Sequence, residues 1–189
     1  MINHGAYAGL AGFVGVLITM LLAGSHSAPA VFLAAVVGLV GAGLSAQFIE
    51  GSPALLRPFG FYGGLLGVSL GCLLAPLLGS SIWLLLASYS VSAPWIQAIG
   101  RMRCLVQGCC HGRPAAGPVG IRYVHPLSRV TRLTKWAGVP LHPAPVYSIL
   151  WNMVLAAAVA RLWTLHTRLH LIVGVYFILS GLGRFVEEA

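Results

Sequence analysis

Six apolar stretches separated by short polar breaks organise the chain. The first covers about residues 7–23 and stops at GSHSAP; the second covers about 30–48. IEGSPALLRPFG leads into the third, FYGGLLGVSLGCLLAPLLG, and the fourth is SIWLLLASYSVSAPWIQAIG, with Pro94 inside it. The fifth runs over about 146–162, and the sixth, LIVGVYFILSGLGRF, ends in the acidic pair Glu187 and Glu188. Apolar runs of this length match the ~30 Å hydrocarbon layer that a helix of about 20 residues crosses. They predict an all-α polytopic transmembrane helical bundle of about six spans, a single membrane domain over 1–189. The first stretch lacks the basic leader of a signal peptide, and further spans follow it. Between the fourth and fifth, residues 114–141 are polar, basic and rich in Gly and Pro. That segment predicts an ordered extramembrane loop with a short strand at VGIRYVH.

Composition supports the bilayer. Hydrophobic residues make up 58% of the chain and charged residues 7%, against about 25% charged in a soluble protein. A water-soluble fold has no surface to build from this, whereas a membrane accepts it provided the backbone closes its own hydrogen bonds. The net charge of +8 is local: seven of the 11 basic residues lie between Arg101 and Lys135, and no acidic residue occurs between Glu50 and Glu187. With no soluble reading module present, nucleic acid is excluded as the expected partner. An anionic lipid head, an anionic substrate or the positive-inside bias fits better. No span carries the paired charges expected of a coupled transporter.

Candidate chemistry gathers in a few places. Gly63, Gly64, Gly67 and Gly71 crowd one region, and Gly63–Gly67 and Gly67–Gly71 form overlapping G-x-x-x-G pairs. These suit close helix packing, with bare backbone beside a ligand as the alternative. Cys72 reads as a small buried apolar residue. In GRMRCLVQGCCHGRP, Cys104, Cys109, Cys110 and His111 offer soft ligands at a spacing unlike the usual zinc patterns. A metal, a disulfide and structural thiols are the alternatives; no metal site and no cofactor is assigned. Arg101 and Arg184, at the ends of spans, need counter-charge. Glu50, Glu187 and Glu188 are the carboxylates the chain offers. A phosphate held by bidentate guanidinium contacts would also serve, and snorkelling to lipid heads is the alternative. His142 precedes Pro143, with Tyr147 one turn on; it suits a base, a phosphate-orienting group or a helix cap.

In order, FYGGLLG, IGRMRCLVQGCCHGRP, PLHPAPVY and GLGRFVEE resemble the motifs of the prolipoprotein diacylglyceryl transferase family. Gly100 to Cys109 stands where that family reads G-R-x-G-N-F-x-N-G-E. His142 to Ser148 stands at its H-P-x-Q-L-Y-E, and Arg184 to Glu188 at its R-F-x-x-E. The resemblance implies a multi-pass enzyme of the bacterial inner membrane. It would transfer the diacylglyceryl group of phosphatidylglycerol to a cysteine thiol of a lipoprotein precursor and release glycerol phosphate. Arg101 and Arg184 are then expected to hold the phosphate and stabilise developing charge, and His142 to accept the thiol proton. Tyr62, Gly63, Gly64, Arg103, Gln107, Tyr147 and Glu188 are expected to bind substrate. The chain departs from the pattern at Arg103, Cys104, Gln107, Cys109, Pro145 and Ser148, and Leu44 stands where an arginine is common. The family's final helix would lie beyond Ala189, implying a divergent, C-terminally short member. An alternative is a non-catalytic lipid-binding subunit or scaffold of a larger membrane complex. The positive-inside rule would place the Arg101–Lys135 segment in the cytoplasm, whereas the resemblance implies the outer face.

Overall fold

The structure, a computed structural model, describes residues 4–49, 59–116 and 119–188. Its helices are α1 (His4–Ala23), α2 (Ala28–Leu44), α3 (Phe61–Leu73), α4 (Ile82–Gln107), α5 (Arg129–Leu133), α6 (Ala144–Thr164) and α7 (Leu169–Glu188). Strands β1 (Ile121–Arg122) and β2 (Pro140–Leu141) pair antiparallel between α4 and α6. Five helical segments are long and apolar enough to cross a membrane: α1, α2 with the π-turn Ser45–Ile49, α4, α6 and α7. This is a multi-pass membrane protein. The third apolar stretch is different. At 13 residues, α3 rises about 20 Å, and a 3₁₀ turn at Ala75–Leu78 follows it.

Local sequence sets the helix ends. Pro29 and Pro145 lie in the first turns of α2 and α6, where a missing N–H breaks no helical bond. The Ser81 hydroxyl caps α4 by accepting the Leu84 N–H. The fourth apolar stretch continues past Gly100, so α4 carries Arg101 to Gln107 as helix and stops at Gly108, with φ of +69°. That left-handed conformation is natural for glycine and costly for other residues.

Packing is inverted relative to a soluble protein. Buried positions are mostly small, such as Ala30, Ala34, Ala87, Ser88, Ser92 and Ala98. Large apolar side chains face outward, including Leu21 (76% exposed) and Leu77 (81%). Small residues bring backbones together where the lipid supplies no hydrophobic drive. The α2–α3 pair is closest: a Cβ at Gly67 would lie 2.6 Å from the Val37 carbonyl oxygen and 2.9 Å from Gly38 Cα. At Gly71 it would lie 2.5 Å from Ala34 Cα. Central α4 packs on α1, α6 and α7. Polar contacts fix their registers: Thr19 with Ser92 at 2.9 Å, Tyr89 donating to the Val31 carbonyl at 2.6 Å, and Gln97 donating to Tyr176 at 2.8 Å.

Short turns join α1 to α2, α3 to α4 and α6 to α7. Connectivity therefore gathers the start of α3, the end of α4, the start of α6 and the end of α7 at one end of the bundle.

Candidate active site

Three charged groups from two helices meet at that end. Arg101 of α4 and Arg184 of α7 both donate to Glu187 Oε2, Arg101 through a very short contact and Arg184 at 3.1 Å. All three side chains are partly buried, with 20–29% of their surface exposed. The Arg184 guanidinium also lies 5.7 Å from the centre of the Phe61 ring, a cation–π distance. Two guanidiniums from helices that pack together but lie far apart in sequence thus share one carboxylate.

Arg184 is held through its neighbour. Trp151 of α6 donates its indole N–H to the Leu179 carbonyl at 3.1 Å. Its ring fills the space where a Cβ on Gly183 would stand, with Cδ1 at 2.5 Å and Nε1 closer still. The bare Gly183 backbone lets α6 approach α7 directly beside Arg184. Neither Trp151 nor Gly183 was singled out by sequence reasoning. The usable signal was the glycine immediately before the arginine in GLGRF.

His142 sits at the mouth of α6, exposed, with Nδ1 3.2 Å from the Tyr147 hydroxyl. Its backbone is tied to the opening motif: Gly112 N–H donates to the His142 carbonyl at 2.9 Å, and His142 N–H donates to the Arg113 carbonyl at 3.0 Å. A Cβ on Gly112 would meet the His142 Cβ at 2.9 Å. The chain following α4 is therefore stitched to the start of α6.

The segment between them has a core of its own. Tyr123, Val130 and Leu141 are buried together, with Ile121, Trp136 and Val139 packed around them. The strand predicted over VGIRYVH is only two residues long because it has just Pro140 and Leu141 to pair with, and α5 forms where a loop was expected. Tyr123 reaches back to α4, its hydroxyl donating to the Leu105 carbonyl at 2.9 Å. Burial, then the neighbouring cysteines, hold its phenol above the ordinary range. Tyr123→Phe is expected to lower stability by about 1 kcal/mol, the worth of one such bond. Thermal unfolding in detergent would measure it, and an unchanged midpoint would deny the clamp.

The remaining expected site residues are dispersed. Tyr62 is exposed on the first turn of α3, edge-on to Phe61 at 5.2 Å. Gly63 and Gly64 face α2, Gly63 against Ser45 and the Gly41 carbonyl, Gly64 3.4 Å from the Ala42 Cβ at its own Cβ position. Arg103 is partly buried and Gln107 is buried at the end of α4. Leu44 is exposed at the end of α2. Glu187 is the described carboxylate that meets the arginines. The side chain of Glu188 and the whole of Glu50 lie outside the described residues.

Cys104, Cys109 and Cys110 come together as well, their sulfurs all within 4.8 Å of one another. Hydrogen bonding to Cys104 and Cys110, then burial, pushes the Cys109 thiol above its ordinary range.

Comparison with known proteins agrees with this frame. Residues 4–189 match the prolipoprotein diacylglyceryl transferase family. Phosphatidylglycerol–prolipoprotein diacylglyceryl transferase 2 of Clostridium perfringens (strain 13 / Type A) is 28% identical over 144 residues, 72% of this chain and 53% of that protein. The corresponding transferase of Clostridium tetani (strain Massachusetts / E88) is 24% identical over 175 residues, 84% of this chain and 67% of that protein. The chain thus spans about half the length of the first relative and about two thirds of the second. With the match running almost end to end, the chain belongs to the prolipoprotein diacylglyceryl transferase family.

Proposed function

We propose that this chain is a transferase of lipoprotein biosynthesis, moving a diacylglyceryl group from phosphatidylglycerol to a cysteine thiol of a lipoprotein precursor in the bacterial inner membrane. The observation that carries the reading is the convergence of Arg101 and Arg184 on one anion at the end of the bundle. Like a carboxylate, a phosphodiester offers two charged oxygens that a guanidinium fork can engage. It would draw both guanidiniums from Glu187 by bidentate contacts.

That placement suits the reaction proposed. The acceptor sulfur attacks the glycerol carbon that bears the phosphate, a C–S bond forms, and the C–O bond breaks. Glycerol phosphate leaves with the electron pair. Negative charge accumulates on the departing phosphate, where Arg101 and Arg184 stabilise it more in the transition state than in the ground state. His142 takes the thiol proton. The Tyr147 hydroxyl, 3.2 Å from Nδ1, orients the ring and leaves Nε2 for that transfer. The described part of the segment between α4 and α6 lies outside the membrane in this reading, tied to the start of α6 at His142.

Transfer from labelled phosphatidylglycerol to a lipobox peptide tests the proposal. Wild type is expected to label the peptide, and His142→Ala to lower kcat about 10²-fold with the lipid KM little changed, as for loss of a general base. Absence of transfer by wild type, with the lipid still co-purifying, would overturn catalysis and leave lipid binding alone.

A further inference from the structure

Written out, C-x4-C-C looks like a chain that keeps going. It does not keep going. At Gly108 the backbone turns left-handed, and the N–H groups of Gly108 and Cys109 both donate to the Cys104 carbonyl, at 2.9 and 3.4 Å. The chain folds back over the last turn of α4 and delivers Cys109 and Cys110 to Cys104. None of the three is in a disulfide, and all are partly buried. Their sulfurs lie within 4.8 Å of one another, and those of Cys109 and Cys110 are 3.7 Å apart. Thiolates bound at about 2.3 Å to one metal stand roughly 3.8–4.0 Å apart. Small side-chain rotations would therefore close the cluster on an ion. Both flanks are clamped, by Tyr123 on Leu105 and by Gly112 on His142, so the arrangement is built by the fold.

We propose that Cys104, Cys109 and Cys110 form a three-thiolate site for a soft cation, Cu(I). Among the described residues the cluster contains three sulfurs and no histidine or carboxylate. His111, the next residue, has its Nδ1 3.0 Å from the Gly112 carbonyl. Structural zinc takes four ligands, hard cations take oxygen, and an all-thiolate set favours Cu(I). Binding forms three Cu–S bonds and releases three thiol protons to solvent, with no change of oxidation state. The product carries two negative charges. Arg101, one helical turn before Cys104, lies on the same face of α4, and the segment continues to Arg113 without an acidic residue.

Reduced full-length protein in detergent, titrated anaerobically with Cu(I) against a competing chelator, tests this. One Cu(I) per chain is expected, with three sulfur neighbours at about 2.3 Å by X-ray absorption. Cys104→Ser, Cys109→Ser and Cys110→Ser should each lose at least the ~10–100-fold in affinity that removal of even an outer-sphere partner causes. Cys72→Ala, in the separate core where α2, α3 and the start of α4 meet, should bind as wild type does. Circular dichroism of each serine variant verifies its fold. Equal Cu(I) binding by the serine variants, no Cu(I) bound by wild type, or Zn(II) held by the same sulfurs and not displaced by Cu(I) would overturn the assignment.

Discussion

Arg101→Ala is expected to lower diacylglyceryl transfer about 10³-fold, close to 4 kcal/mol of transition-state stabilisation, the scale seen when one preorganised charge-stabilising donor is removed. The prediction rests on the proposed reaction and on the position of Arg101. Its guanidinium meets Arg184 across a single carboxylate oxygen, so a phosphate there would be held from two helices at once. A competing account is structural: Arg101 serves only to tie α4 to α7 through Glu187. The two accounts separate cleanly. A partly exposed ion pair contributes only about 0–1 kcal/mol. Glu187→Gln breaks the tie while keeping both arginines, and should cost transfer less than about tenfold by the same measure. Arg101→Lys keeps the charge and loses the planar fork, so its activity should fall between the two. Equal losses in Arg101→Ala and Glu187→Gln would sink the phosphate role and leave a structural ion pair.

The second large effect is on the fold. Gly67→Val is expected to destabilise the protein by about 3 kcal/mol, the upper part of the range for overpacking. The new Cβ would sit 2.6 Å from the Val37 carbonyl oxygen and 2.9 Å from Gly38 Cα. Both are backbone atoms of α2, which cannot rotate away as a side chain could. α3 must therefore separate from α2, taking with it Phe61 and the ring beneath Arg184. Transfer should fall together with the unfolding temperature. Gly12→Ala supplies the control: nothing lies within 4 Å of its Cβ position, and alanine is the better helix former by about 1 kcal/mol. A Gly67→Val protein that unfolds at the wild-type temperature would mean that α2 and α3 do not depend on this contact.

The same positions show how far the sequence could be read. The glycines of α3 were legible as packing residues because a G-x-x-x-G spacing places bare backbone on one helical face. Gly183 was not legible in that way, since its reason for being bare is an indole from a different helix. Arg101 and Arg184 were legible as charges in need of a counter-charge. That both would turn to Glu187, 86 residues from Arg101, was one of three carboxylate options and one of several anions. For the cysteines, linear spacing gave the wrong picture of distance, because one left-handed glycine outweighs the count of intervening residues.

What the sequence by itself determined is the class of protein: apolar runs too long and too free of charge for water leave helices across a bilayer as the solution that satisfies every backbone group. It also singled out the residues able to carry chemistry, because arginine, histidine and cysteine are conspicuous in so apolar a chain. Only the tertiary structure decided which of them meet. Arg101 and Arg184 share a carboxylate because α4 and α7 end at the same side of the bundle. His142 joins the opening motif through backbone hydrogen bonds of the segment between α4 and α6, and three sulfurs converge because Gly108 reverses the chain. Those are consequences of helix order and close packing between elements distant in sequence, and hydrophobic periodicity along a single helix carries no information about them.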